Sequence, residues 1–172
     1  MPRRRAAFTL IELIVTTTVI VVIAAIVAPK MLGFRNRGVY AGAHELAGHI
    51  KMARDLATAT RRRTWVDFDT SAESYSVYIE HPDNPGRAHR VWVTHPVTGG
   101  NFQVVLGTGD AIDAAISSAA FGGRSEVEFD SLGQPYNGMG QALTSDGTVV
   151  LANGDVSRSV VVTRQTGMVR EQ

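Results

Sequence analysis

Hydrophobic and polar positions divide the chain of 172 residues into three parts that differ in spacing. The first part is an apolar run from Phe8 to Ala28, in which Glu12 is the one charged residue. At about 1.5 Å per residue, a helix over this run would reach roughly 30 Å, which is the thickness of a bilayer core. We therefore predict a transmembrane helix over residues 8–28.

Helical spacing continues beyond Pro29, with apolar residues three or four positions apart. These residues are Val39, Ala43, Leu46, Ile50, Ala53 and Ala57. The spacing places an apolar stripe on one face of a helix that should end near Thr60. Pro29 lacks an N–H donor and should kink that helix. Residues 29–63 are therefore predicted to form a helical stem.

From Thr64 onward, apolar and polar residues alternate with the period of two that is typical of strands. Strands are predicted at residues 65–68, 75–79, 90–94, 102–106, 127–129, 147–151 and 159–163. Asn153-Gly154 between two apolar runs predicts a hairpin, and the Ala-rich segment Ala111–Phe121 is predicted to be a short helix or a loop. Together the patterns predict an α+β fold. A long N-terminal α-helix, transmembrane in its first half, packs against a C-terminal antiparallel β-sheet head formed by residues 64–172.

Charge separates the chain into a basic stem and an acidic head. Residues 1–63 hold 11 Lys or Arg and 3 Asp or Glu, a net charge of +8, whereas residues 64–172 hold 6 and 13, a net charge of −7. Arginines at positions 3–5 precede the apolar run, as in exported proteins whose basic end stays in the cytoplasm. The chain has no cysteine, which excludes disulfides and cysteine-based metal sites.

The apolar run has three interpretations: a cleaved signal peptide, a plain membrane anchor, or an anchor in which Glu12 has a further role. No strict A-x-A cleavage site ends the run, which argues against the signal peptide. A carboxylate within hydrocarbon costs about 2.5–3.5 kcal/mol on insertion scales. Glu12 therefore either lies near the membrane interface or is buried together with a cation.

The segment Phe8-Thr9-Leu10-Ile11-Glu12 resembles the class III signal of type IV pilins and type II secretion pseudopilins. The resemblance implies a leader peptide of residues 1–7, cleavage by prepilin peptidase between Ala7 and Phe8, and N-methylation of Phe8. It also implies that Glu12 pairs with the amino terminus of a neighbouring subunit in the filament. Many pilins have a proline where this chain has Pro29. Ala7 departs from the glycine that the family usually has before the cleavage point.

Two segments of the head, Glu128–Pro135 and Thr166–Arg170, are similar to the C-terminal region of H-type minor pseudopilins and related minor pilins. The resemblance implies a minor subunit, near the tip of a periplasmic type II secretion pseudopilus, that supports protein secretion. It implies a single span in the inner membrane and a periplasmic stem and head. The implied partners are prepilin peptidase, other pilin-like subunits that contact the N-terminal helix, and the inner membrane.

The alternative is a minor pilin of a type IV pilus whose head binds DNA for uptake. Arg158, Arg164 and Arg170 are the candidate contacts for that role. Nucleic-acid binding needs clustered positive charge, so the net negative charge of the head argues against such a partner.

Motifs for catalysis, metals and cofactors are weak in this sequence. His44 and His49 lie five residues apart, whereas the zinc motif H-E-x-x-H needs four, so on a helix they point in different directions. Gly107–Ile112 lacks the final Gly or Ala of a dinucleotide fingerprint, and no motif supports a membrane-tethered hydrolase. We interpret Arg61–Arg63 as a solvated helix end rather than a contact for phosphate, lipid or an acidic partner. The sequence predicts no enzyme, metal site or cofactor.

Overall fold

The computed structural model describes residues 9–107 and 114–172, with the backbone but not the side chains of residues 26–36. Contacts divide the chain into two compact units, Met1–Arg35 and Asn36–Gln172. The first element, α1, comprises Leu10–Thr60. Its helical assignment is continuous through Pro29, and the kink there stays a prediction.

The end of α1 lies where the apolar stripe predicted it. Arg61 follows the last helical residue and has a φ of 54°, the left-handed conformation that commonly ends a helix. The Thr64 hydroxyl then donates to the Ala53 carbonyl at 2.9 Å, and both residues are fully buried. This hydrogen bond fixes the first strand against the last turns of α1.

Strands form two antiparallel sheets in the described part of the head. They are β1 (Thr64–Asp69), β2 (Ser74–Ile79), β3 (Val91–Trp92), β4 (Gln103–Val105), β5 (Ala115–Ala120), β6 (Glu126–Phe129), β7 (Pro135–Asn137), β8 (Gly147–Asn153), β9 (Val156–Val162) and β10 (Val169–Glu171). The first sheet has the order β3-β2-β1-β6-β7, and β4 also pairs with β2. The second has the order β10-β9-β8-β5. A short 3₁₀ helix, Arg87–His89, lies between β2 and β3.

Most predicted strands are present, and the hairpin at Asn153-Gly154 joins β8 to β9 with Asn153 opposite Val156. The prediction of a short helix or loop over Ala111–Phe121 is wrong for its described part, because Ala115–Ala120 is strand β5. This strand pairs with β8 and has a register shift between Ile116 and Ser118. The neighbouring strand supplies the backbone hydrogen bonds and thereby overrides the low strand propensity of alanine.

The core lies between α1 and the two sheets. Leu46 and Ile50 of the predicted stripe are fully buried in one cluster with Phe129 of β6 and Leu151 of β8. Burial of each such side chain stabilises the fold by about 1.5–3 kcal/mol. The α+β architecture predicted from the sequence is therefore confirmed for the unit that begins at Asn36.

Candidate functional site

The amino end of α1 begins at a threonine cap. The Glu12 N–H donates to the Thr9 hydroxyl at 3.3 Å and to the Thr9 carbonyl at 3.1 Å. Thr9 and Glu12 have the T-x-x-E spacing of a capping box, and a carboxylate in the first turn suits the helix dipole. Within the described part of the chain, no ion pair holds the Glu12 carboxylate. The side chain is thus placed for local capping and remains open to a partner.

The helix surface that follows is apolar and exposed. Leu10 and Ile11 expose 76% and 70% of their surface, and all residues from Leu10 to Ala25 are exposed. The hydroxyl groups of Thr16 and Thr18 donate to carbonyls one turn earlier, at 2.9 and 2.7 Å. These hydroxyl donors are used within the helix itself. Glu12 is the one charged residue of the described surface from Leu10 to Ala25. Such a surface marks contact with lipid or with other protein.

Several predicted site residues lie outside the described residues. Ala7 and Phe8, the predicted cleavage position, precede Thr9, where the description begins. The side chains of Pro29 and of residues 26–28, the last part of the predicted span 8–28, are not described either. Among the helical residues that were described, none forms a segment long and apolar enough to cross a membrane.

Two head segments singled out in the sequence meet against α1. Gly133 has a φ of 78° and Gly167 a φ of 64°. A Cβ on Gly167 would lie 2.4 Å from the Gly133 carbonyl oxygen, and one on Gly133 would lie 3.1 Å from the Thr58 side chain. The Arg54 guanidinium donates to the Gly167 carbonyl at 3.4 Å. A side chain at Gly167 would therefore force the backbone to shift, whereas one at Gly133 would meet tight side-chain contacts and a strained left-handed conformation.

The three arginines proposed to contact nucleic acid have separate surroundings. Arg158 donates to the Tyr40 hydroxyl, and its guanidinium lies 4.1 Å from the centre of the Tyr40 ring. Arg164 donates to the Thr144 carbonyl at 2.5 Å, and Arg170 to the Thr163 hydroxyl at 3.4 Å. Arg158 thus joins β9 to α1. The role of these arginines in binding nucleic acid stays a prediction.

The two histidines of α1 make different contacts. His44 is exposed and pairs with Glu171 at 3.0 Å, whereas His49 is half-buried and lies 2.6 Å from the Tyr75 hydroxyl. Burial lowers the pKa of His49, His95 lowers it further, and Glu45 opposes the shift. In the described residues, no group of three or more potential ligands is placed to hold a metal ion. His44 and His49 therefore serve two separate contacts.

The arginine run after α1 contacts the head rather than solvent alone. Arg62 donates to the Glu80 carbonyl at 3.0 Å, and Arg63 pairs with Glu128 at 2.9 Å. The Glu128 side chain is 4% exposed and also accepts a hydrogen bond from the Trp65 indole at 3.0 Å. Burial raises the pKa of Glu128, against the opposing effect of Trp65 and Arg63. The prediction of a solvated helix end is thus incomplete, because Arg63 is exposed but it and Arg62 also bond the head.

A second buried carboxylate, Glu126, lies two residues earlier on the same face of β6. Arg87 donates to it from Nη2 at 2.5 Å and from Nε at 2.9 Å, and Arg90 also pairs with it. Arg90 reaches Asp67 as well, at 3.1 Å. A Cβ on Gly138 would overlap the Glu126 carboxylate.

Sequence spacing missed this network, because the arginines and the acids come from different elements. The one available signal was Glu126 and Glu128 in a strand pattern, two positions apart.

Family models match both ends of the chain. The model described as the prokaryotic N-terminal methylation motif matches residues 2–28. The model described as type II transport protein GspH matches residues 42–167, which include the apolar stripe of α1 from Ala43 onward and the strands from β1 to β9. The chain belongs to the GspH family. The resemblance to H-type pseudopilins is therefore confirmed, and Ala7, Phe8 and Glu12 lie inside the methylation-motif match.

Two solved structures of one minor pseudopilin share the fold of this GspH-family chain. The minor pseudopilin EpsH from the type II secretion system of Vibrio cholerae matches with a TM-score of 0.56 at 11% identity, covering 80% of this chain and 97% of that one. A second EpsH structure gives 0.52 at 13%, covering 78% and 96%. The type IV minor pilin FimU of Pseudomonas aeruginosa gives 0.46 at 13%, covering 77% and 91%. No curated protein sequence matches the chain. At these identities the likeness to EpsH is one of fold.

Proposed function

We propose that this GspH-family protein is a minor pseudopilin that is cut by prepilin peptidase between Ala7 and Phe8 and methylated on Phe8. It then assembles through α1 into a type II secretion pseudopilus, near the tip, and supports protein secretion. Before assembly, residues 8–28 hold it in the inner membrane with the head in the periplasm.

One observation carries this proposal: the described start of α1 is apolar and exposed, apart from Glu12. Burial of apolar area stabilises association by roughly 25 cal/mol per Å², so like helices that pack together bury a surface that the single chain leaves uncovered. The family match adds a head of the pseudopilin type, and the methylation-motif match supplies the processing signal.

In this proposal, Glu12 sets the register between neighbouring α1 helices in the filament. Its carboxylate would pair with the positively charged amino terminus created by cleavage before Phe8 on a neighbouring subunit. A buried ion pair often adds little net stability, but a lone buried charge is strongly destabilising. Subunits that slide out of register therefore leave Glu12 uncompensated, and this penalty selects one arrangement of the helices.

The test is the mass of the N-terminal peptide of the full chain, expressed in cells with and without prepilin peptidase. We expect a chain that begins at N-methyl-Phe8 in the first strain and an uncut chain in the second. Ala7→Gly is the matched variant, since it restores the residue that the family usually has before the cleavage point.

An uncut chain in both strains, for wild type and Ala7→Gly alike, would contradict the processing step. A chain that begins at or beyond Pro29 would indicate an ordinary signal peptide and would remove the filament proposal. Cleavage of Ala7→Gly alone would show that Ala7 limits processing.

A further inference from the structure

The face of the first sheet that points away from α1 carries polar and aromatic side chains in register. Trp92, Tyr78 and Trp65 are successive cross-strand partners on β3, β2 and β1. The next row holds Gln103, Ser76 and Asp67 on β4, β2 and β1, and a third row pairs Ser74 with Asp69. Directly paired residues share a face of an antiparallel sheet, so these rows lie on one face, on which Trp65 is itself fully buried.

The polar rows of this face form the floor of an open groove of about 460 Å³. Small-molecule sites commonly have volumes of about 300–1,000 Å³, so the groove is large enough for a specific ligand. We call it the outer groove, and its lining includes Asp67, Asp69, Ser74, Ser76, Trp92 and Gln103. It lies on the opposite face of the first sheet from α1.

Two serines with little exposed surface line the outer groove. Ser74 is 3% exposed and Ser76 is 7% exposed, and both line the groove. In the described part of the chain neither side-chain hydroxyl makes a hydrogen bond, yet neither is sealed from solvent. Because both hydroxyls open into the groove, water can reach them there, and a ligand with hydrogen-bonding groups can take the place of that water.

The wall of the groove is aromatic. The Tyr78 and Trp92 ring centres lie 4.5 Å apart, and Trp92 keeps 38% of its surface exposed. Arg90 lies 4.1 Å from the centre of the Tyr78 ring and also holds Asp67, so it fixes the wall against the floor. The indole therefore offers a rigid apolar surface beside a polar floor.

Charge limits what this arrangement can accept. The hydrogen bond from the Ser71 hydroxyl lowers the pKa of Asp69, which keeps that carboxylate anionic and unfavourable to phosphates and other anions. The polar floor also excludes a purely apolar ligand. A ligand that fits needs closely spaced groups that both donate and accept hydrogen bonds, together with an apolar face for Trp92. A sugar ring has hydroxyls at its edge and C–H groups on its face, and so meets both needs.

We propose that the outer groove binds a neutral oligosaccharide, with one ring stacked on Trp92 and its hydroxyls bonded to Ser76, Asp67 and Gln103. This site is independent of processing at Phe8 and of assembly through α1. Two sources share the required chemistry: the acetylated aminosugar chain of a cell wall, and a neutral glucan.

The test is calorimetric titration of the full chain in lauryldimethylamine oxide, a detergent without a sugar headgroup. The probes are triacetylchitotriose, cellotriose and maltotriose, with trilysine as a cationic control. We expect saturable binding of at least one trisaccharide that persists in raised salt. Tighter binding of triacetylchitotriose would assign the wall-type chain, and tighter binding of a glucan trisaccharide would assign the glucan. Both outcomes support the proposal.

Paired variants locate the binding. Trp92→Ala and Gln103→Ala should each weaken it at least tenfold, whereas Val97→Ala and Gln165→Ala, which change exposed residues outside the lining of the groove, should leave it unchanged. Gln103 is exposed, so its removal tests the site even where Trp92→Ala fails to fold. Absence of trisaccharide binding would overturn the proposal, as would equal binding by Gln103→Ala. Binding of trilysine alone would overturn it in favour of a basic peptide.

Discussion

At the scale of single residues, the contact between the head and α1 depends on backbone atoms that approach closely. Gly167 has no room for a Cβ because the Gly133 carbonyl would lie 2.4 Å away. Gly154 at the β8–β9 hairpin also has a positive φ, 59°, but nothing lies within 4 Å of its Cβ position. The two glycines therefore share a conformational requirement and differ in steric crowding.

We predict that Gly167→Ala lowers the free energy of unfolding by about 2–5 kcal/mol, whereas Gly154→Ala lowers it by only about 1–2 kcal/mol. Both alanines bear the strain of the left-handed conformation, and only the one at position 167 also overlaps a backbone oxygen. Denaturant unfolding of the full chain, followed by tryptophan fluorescence, measures both values. Equal losses would contradict the required close contact between Gly133 and Gly167.

Buried carboxylates at the same scale show what a net charge does not reveal. Glu126 and Glu128 contribute to the net charge of −7 of residues 64–172. Both are buried and held by arginines from other elements. A buried charge that loses its partner is destabilising by about 3–5 kcal/mol. The arginines are thus structural partners of these acids.

At the scale of elements, α1 carries two histidines that differ in environment. The pKa of His49 is lowered mainly by burial, so the folded chain binds its proton at lower pH than the unfolded chain does. As pH falls below about 6.5, the ordinary pKa, the unfolded state takes up the proton first and the free energy of unfolding decreases. The stability that His49 contributes is therefore present at pH 7 and above and is lost on acidification.

We predict that His49→Gln reduces the fall in melting temperature between pH 7.5 and 5.5, because glutamine does not titrate. His44→Gln is the matched control, since the His44 side chain lies on the same helix and is 83% exposed. Thermal unfolding at several pH values gives the slope of melting temperature against pH for each variant. Comparing these slopes removes the effect of any overall loss of stability. A profile flattened by His44→Gln but not by His49→Gln would contradict this account.

At the scale of the whole molecule, the two ends of the chain serve different tasks. All residues from Leu10 to Ala25 are exposed, whereas the unit from Asn36 to Gln172 has its own core. A chain built in this way needs lipid or other subunits to cover its first helix. The proposed filament supplies that cover, and Glu12 is the one charged residue between Leu10 and Ala25.

We predict that Glu12→Val inserts in the membrane normally but enters the filament at least tenfold less. The neighbouring amino terminus would be left buried without its counter-charge, at a cost of about 3–5 kcal/mol. Thr16→Val is the matched control, because it removes a polar group from the same helix without removing a charge. Crosslinking of membrane fractions, with quantification of sheared filaments, measures incorporation. Unchanged incorporation of Glu12→Val would contradict the proposed ion pair.

The sequence by itself determined the helix, its buried stripe and most of the strands. Those features depend on local periodicity, and Leu46 and Ile50 are buried as their spacing predicts. It also identified the family, because the segment that contains Glu12 and the turn that contains Gly133 are each continuous in the chain. Patterns of this kind can be recognised without the fold, because all of their residues are neighbours in the sequence.

Only the tertiary structure decided which distant residues meet. The strand β5 depends on pairing with β8, and the Ala-rich sequence of β5 does not indicate this partner. The pairing of Arg63 with Glu128 and the row of Gln103, Ser76 and Asp67 depend on strand register. A shift of register by one residue would turn each side chain to the other face. Periodicity along the chain therefore specifies faces, and strand pairing specifies the sites on them.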